Sequence, residues 1–265
     1  MAPLGAAKVG LFGAAGAAGD AGYFGGGGWG RQSTVDKFAF PGDSRSTLGT
    51  GLSAACRNLA GMANSGTAGY FGGGDDSSSS VDTVDKFAFS DDSRTTLGTG
   101  LSAARTGPAA MANSGTAGYF GGGAEASNVD TVDKFAFPGD SRSTLGTGLS
   151  AARSVLAAMA NSGTAGYFGG GDTGWPNRVD TVDKFAFSDD SRTTLGTGLT
   201  AGVYGPIGMA NSGTAGYFGG GLDSAPAYVT TVDKFAFSDD SRTTLGAGLS
   251  SARGLGGGMA NSGSL

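Results

Sequence analysis

The feature that most constrains this chain is a fivefold internal repeat. A Tyr-Phe pair recurs at Tyr23, Tyr70, Tyr119, Tyr167 and Tyr217, each time followed by three glycines, at intervals of 47 to 50 residues. Val-Asp-Lys-Phe-Ala-Phe begins at Val35, Val84, Val132, Val182 and Val232, and Met-Ala-Asn-Ser-Gly at Met62, Met111, Met159, Met209 and Met259. Three anchors that stay in step across five copies describe one supersecondary unit used repeatedly. A unit of about 48 residues cannot cover both of its faces alone, so the copies must stack on one another.

Within the copy at 105–151 the sequence reads as four short strands separated by turn chemistry. Small residues run from Ala109 to Asn113 and end in Asn-Ser-Gly; the Gly-Tyr-Phe-Gly strand covers 117–121. The strongest strand is predicted over 129–137, with Val132, Lys134 and Ala136 on one face and Asp133, Phe135 and Phe137 on the other. Pro138-Gly139-Asp140-Ser141 supplies a turn, and 143–149 completes the unit. The 54 glycines and a charged fraction of 15% would by themselves suit a disordered chain. All of the 16 Phe except Phe12 fall at fixed repeat positions, which gives each copy apolar area to bury. The glycine content and the β-branched and aromatic segments both oppose a helical period.

Radial closure of four-stranded units hides most sheet edges, so the expectation is an all-β, five-bladed β-propeller of four-stranded antiparallel blades, one domain over residues 20–265. The Gly-Gly doublet after an aromatic strand, Val-Asp-Lys-Phe in the next strand and a terminal Ala-Ala-Arg resemble kelch repeats. The resemblance departs at the Trp that usually precedes the last strand, where this chain has Thr or Ser before Leu. The fivefold count also resembles five-bladed lectin propellers, without their signature residues. The uniformity of the copies resembles structural proteins of phages and marine microbes.

The ends raise a closure question. Residues 254–265 supply Gly-Met-Ala-Asn-Ser-Gly, a first strand without the rest of its repeat, and residues 20–53 supply a repeat without its first strand. They fit as a terminal clasp, which leaves 1–19 as a Gly/Ala-rich arm; by spacing alone, 12–19 could serve instead. The expected blades are 20–53 plus 254–265, then about 54–101, 105–149, 153–199 and 203–249.

The copies differ mainly at two places: the segment after Gly-Gly-Gly and the link after the fourth strand. In an antiparallel meander both lie at the same end of the blade, so the variation collects on one face. Trp29, Trp175, Tyr204 and Tyr228 are the candidate binding residues there, because aromatic side chains dominate binding hot spots; loops also vary simply because they are exposed.

The chemistry open to the chain is narrow. It has no His, which removes the commonest general base and metal ligand, and one cysteine, Cys56, which stands where most copies have Ala. The Asp-Lys pairs at 36–37, 85–86, 133–134, 183–184 and 233–234 are expected to serve inter-blade pairing. Asp91-Asp92-Ser93-Arg94 and its copies could present oxygens to Ca²⁺ but read first as turns. The glycine triplets lack the Lys-Ser/Thr and helix of a phosphate loop. Glu125 is the only Glu, so no unique carboxylate pair suggests a glycosidase. The net charge of -5 offers no basic stripe to nucleic acid. No apolar run reaches 18 residues, and no signal peptide is evident. These features predict a soluble, non-enzymatic module, cytoplasmic or virion-associated. It needs no cofactor or metal and binds a protein partner or a larger assembly. The alternative is a lectin-like propeller with one carbohydrate pocket per blade.

Overall fold

The computed structural model describes residues 10–13, 21–27, 30–40 and 42–258. They form twenty β-strands and no helix, in five sheets of four. Blade 1 comprises β1 (Gly10–Gly13), β2 (Ala21–Gly25), β3 (Val35–Ala39) and β4 (Ser44–Thr47); blade 2 comprises β5 (Ala60–Asn64), β6 (Ala68–Gly72), β7 (Val84–Ala88) and β8 (Arg94–Thr96). Blade 3 is β9 (Ala109–Asn113), β10 (Ala117–Gly121), β11 (Val132–Ala136) and β12 (Ser141–Thr144), and blade 4 is β13 (Ala157–Asn161), β14 (Ala165–Gly169), β15 (Val182–Ala186) and β16 (Arg192–Thr194). Blade 5 is β17 (Ile207–Asn211), β18 (Ala215–Gly219), β19 (Val232–Ala236) and β20 (Arg242–Thr244). Every sheet is an antiparallel meander in chain order, and the first strands β1, β5, β9, β13 and β17 pack successively against one another.

Two boundaries differ from the sequence reading. The third strand of blade 3 starts at Val132 rather than 129, because Val129 is occupied in bonding its amide to the Gly123 carbonyl and its own carbonyl to the Arg153 amide of the next link. The fourth strand lies earlier, at Ser141–Thr144, since the turn at Asp140 returns the chain at once to pair with β11.

The clasp expected from residues 254–265 is also corrected. Blade 1 takes its first strand from the amino-terminal side: β1 pairs with β2, with Phe12 opposite Tyr23 as Met62 is opposite Tyr70. A hairpin to the adjacent strand closes a short loop, whereas a clasp must close the whole chain. Residues 1–9, 14–20 and 259–265 lie outside the described residues.

The alternation of strand side chains explains how blades adhere. Tyr119 and, opposite it, Lys134 point to the following blade; Phe120 and Asp133 point to the preceding one. Tyr119 stacks on Phe187 of blade 4 (centroids 5.4 Å apart) while its hydroxyl donates to Asp190 Oδ1 at 2.8 Å. Lys134 Nζ meets the other oxygen of Asp190 at 2.7 Å. The same latch joins blades 1 and 2 through Tyr23, Lys37, Phe89 and Asp92, blades 2 and 3 through Tyr70, Lys86, Phe137 and Asp140, and blades 4 and 5 through Tyr167, Lys184, Phe237 and Asp240. Each stack contributes about 0.5–1.5 kcal/mol beyond its burial. Toward the preceding blade, Phe120 lies against Gly72, where an added Cβ would come within 2.7 Å of the ring. The core accordingly consists of four apolar clusters, each shared by two blades: 1 and 2, 2 and 3, 3 and 4, 4 and 5.

Candidate functional site

The two variable segments meet at one end of blades 2 to 5. Thr106 of a link forms a β-bridge with Ala124 of the loop between strands two and three, which bridges Asn128; Arg57, Asp75 and Ser80 repeat the arrangement, as do Ser154, Asp172 and Arg178, and Tyr204, Leu222 and Tyr228. The links themselves form a hydrogen-bonded series, Gly107 N to Asn58 O, Val155 N to Gly107 O, Gly205 N to Val155 O and Leu255 N to Gly205 O. All five of these residues have positive φ, including Val155 at 52°, a conformation that a β-branched side chain resists. The glycine triplet makes this close assembly possible: Gly74 has φ +102°, and a Cβ there would lie 2.6 Å from the Arg57 carbonyl oxygen.

Three of the four candidate aromatics gather where blades 4 and 5 meet; Trp29 lies outside the described residues. Trp175 is 48% exposed and Tyr228 39%. The Arg178 guanidinium lies over the Trp175 ring, 4.4 Å from its centroid, a separation at which cation–π attraction operates. Tyr204 is partly covered: burial raises its hydroxyl pKa, and Asp172 and Tyr228 add to the effect. Asp172 accepts the Gly174 amide at 2.5 Å, and its backbone oxygen accepts Asn128 Nδ2 at 2.7 Å. The Nε and Nη2 atoms of Arg178 are buried and carry no hydrogen bond. The result is an aromatic ledge with a stacked cation. Arg178 and Asp172 were not foreseen, although an Arg three residues after a loop Trp is the pattern that would have indicated the stack.

The repeated polar residues are committed to structure. Asp133 accepts from Ser102 N (2.8 Å), Ser102 Oγ (2.9 Å), Thr144 Oγ1 (2.6 Å) and Arg105 Nη2 (2.9 Å). Burial opposes its ionisation, but the Ser102 amide, Thr144 and the Arg105 charge together hold its carboxyl below the ordinary range. Arg105 and Asp133 are both fully buried, as are Arg153 and Asp183 in blade 4. In the acidic turns Asp91 accepts the Ser93 amide and Asp92 belongs to the latch, so both carboxylates have partners within the fold.

The register also corrects the placing of Cys56. The carbonyls of Cys56, Arg105, Arg153, Val203 and Arg253 each accept the amide of the third glycine of a triplet, namely Gly27, Gly74, Gly123, Gly171 and Gly221. Cys56 therefore holds the position of the buried arginines, not that of an Ala. Burial first, then the Asp76, Asp85 and Asp75 carboxylates, push its thiol up to about 11. Val203 leaves a cavity of about 40 Å³ lined by Val203, Phe218 and Asp233, the space that the arginine fills in blades 3 and 4.

No protein-family profile and no curated protein matches the chain. Among solved structures, that of YjhT superposes with a TM-score of 0.76 over 97% of this chain and 88% of that one, at 15% sequence identity. At that identity the likeness concerns the fold, and the fold is a β-propeller. Among the described residues no helix is long and apolar enough to cross a membrane.

Proposed function

We propose that the chain is a non-enzymatic, kelch-like propeller that binds a protein partner or joins a larger assembly, using the ledge of Trp175, Arg178, Tyr204 and Tyr228. The observation that carries the reading is the convergence at a single blade junction of non-repeated aromatics, Trp175 and Tyr228 exposed and Tyr204 partly covered, with an arginine stacked on Trp175. Exposed aromatics and Arg are the residue types that dominate protein–protein hot spots.

The alternative is a lectin-like propeller with equivalent pockets. It requires repeated aromatic and polar groups free to face a sugar, whereas at four junctions Tyr70, Lys86, Asp140 and their counterparts are engaged between blades. Native mass spectrometry against a panel of simple sugars, beside crosslinking capture with wild-type chain and with Trp175→Ala/Tyr228→Ala, separates the two. The protein reading expects a defined partner that the double variant loses. Several equivalent sugars per chain, or a partner retained by the variant, would overturn it.

A further inference from the structure

We infer that the seam between blade 5 and blade 1 is a docking site for one further blade of this same repeat. The four other junctions share one set of contacts, and both halves of that set stand unpartnered here. On blade 5, the Tyr217 hydroxyl and Lys234 ammonium have no hydrogen bond or ion pair among the described residues, whereas their counterparts in blades 1 to 4 all grip an aspartate. On blade 1, Phe40, the counterpart of Phe89, Phe137, Phe187 and Phe237, is 42% exposed, and Asp43, the counterpart of the latch aspartates, is exposed.

The same holds deeper in the interface. Gly25, Gly72, Gly121 and Gly169 each sit under a phenylalanine of the following blade, but among the described residues Gly219 meets Val232, Thr231 and Leu249 of its own blade. Phe24, which would fill that position, is not fully covered. Among the described residues Asp36 lacks the Ser or Thr donor that a preceding link supplies to Asp85, Asp133, Asp183 and Asp233, and Arg253 folds back on Ser250 and Ser251 instead of entering a buried pair like Arg105.

The seam does not close on itself, because its first-strand position is already begun. Leu255 donates to Gly205 O at 2.8 Å as Gly205 donates to Val155 O. A Cβ on Gly258 would meet the Gly208 carbonyl, as one on Gly208 would meet that of Ala158. Residues 254–258 thus lie on β17 as β17 lies on β13, while blade 1 carries its own first strand in β1. Between blades 5 and 1 is a blade position whose first strand is begun and for which the described residues supply no second, third or fourth strand. The occupant must offer Phe and Asp to Tyr217 and Lys234, an Asp to Arg253, and Tyr, Lys and Ser or Thr to Phe40, Asp43 and Asp36. Strands two to four of this repeat meet that description. The inference is independent of any ligand at the Trp175 ledge.

The test appends a second copy of residues 214–253 after Gly263 and compares melting temperature and mass in solution with those of the original chain. The extended chain is expected to be a monomer that melts at least about 5 °C higher, since each latch adds a shift of a few degrees in a domain of this size. Lys234→Ala and Asp43→Ala are expected to be silent in the original chain and to cost about 2–4 °C each in the extended one, with Lys134→Ala costing as much in both. Absence of a gain in the extended chain would overturn the inference. So would an original chain in which Lys234→Ala is as costly as Lys134→Ala, or one that dimerises through the seam and is separated by Tyr217→Arg. Should the extended chain fail to fold, hydrogen exchange of the original decides: faster exchange at β18 than at β10 supports the open seam, and equal protection refutes it.

Discussion

Blade 3 contains a fully buried ion pair that blade 5 does without, and the two halves of that pair should differ in cost. Arg105→Val gives blade 3 the condition already present at Val203. It opens a cavity comparable to the roughly 40 Å³ one in blade 5, worth about 1 kcal/mol, and removes the hydrogen bond to Asp133 with the longer ones to Phe120 O and Ser102 Oγ, worth together roughly another 1–2 kcal/mol. Asp133 would still accept from Ser102 and Thr144. Asp133→Ala is different in kind: it leaves a buried guanidinium without its carboxylate and orphans the Ser102 and Thr144 donors, for about 3–5 kcal/mol. The double variant should cost less than the sum by at least about 1 kcal/mol, because the orphaned charge is gone. Urea unfolding at neutral pH, followed by circular dichroism and tyrosine fluorescence, measures all three. An Arg105→Val cost equal to that of Asp133→Ala, or strict additivity, would refute the account of the pair.

The converse substitution, Val203→Arg, should fill the blade 5 cavity, pair with Asp233 and raise the melting temperature by about 2–4 °C; a lowered value would mean that the slot has relaxed. At acid pH, Asp133, Asp183 and Asp233 have folded-state pKa values below the ordinary value of about 3.9. Their contribution is therefore present above about pH 4 and lost as pH falls through the folded values, which urea midpoints against pH will show. At alkaline pH the sign reverses in proton terms. Burial and the latch aspartates raise the hydroxyls of Tyr23, Tyr70, Tyr119 and Tyr167, so stability is complete below about pH 10 and declines as pH rises beyond it. Absorbance at phenolate wavelengths should then rise together with unfolding. Gly74→Ala places a Cβ against the Arg57 carbonyl at positive φ and should cost at least about 2 kcal/mol; thermal melting that leaves it unchanged would refute the close approach.

The sequence by itself determined the repeat, the four-stranded pattern of a copy, its facing residues and the collection of variable loops on one face. These follow from alternation and turn chemistry, which act over a few residues and repeat without ambiguity. The partnership of Lys86 with Asp140, 54 residues apart, was expected only as inter-blade pairing of some kind, because strand alternation says which face a side chain takes but not what meets it. Near-identity of the copies limited the rest. Since every blade presents the same two faces, nothing local distinguishes a strand that begins blade 1 from one that begins another blade, and Met-Ala-Asn-Ser-Gly pointed to the carboxy-terminal segment. The tertiary structure placed β1 there instead, because hairpin register with β2 settles the pairing. It likewise brought Arg178 over Trp175 through the fold of one loop, whereas the arginine position of Cys56, held by the backbone hydrogen bond to Gly27, is already legible where Leu52-Ser53-Ala54-Ala55-Cys56 runs in step with Leu101-Ser102-Ala103-Ala104-Arg105. Whether two complementary blade faces meet depends on the angle accumulated over all the blades, a long-range sum that no single repeat encodes, and this is why the open seam became visible only in three dimensions.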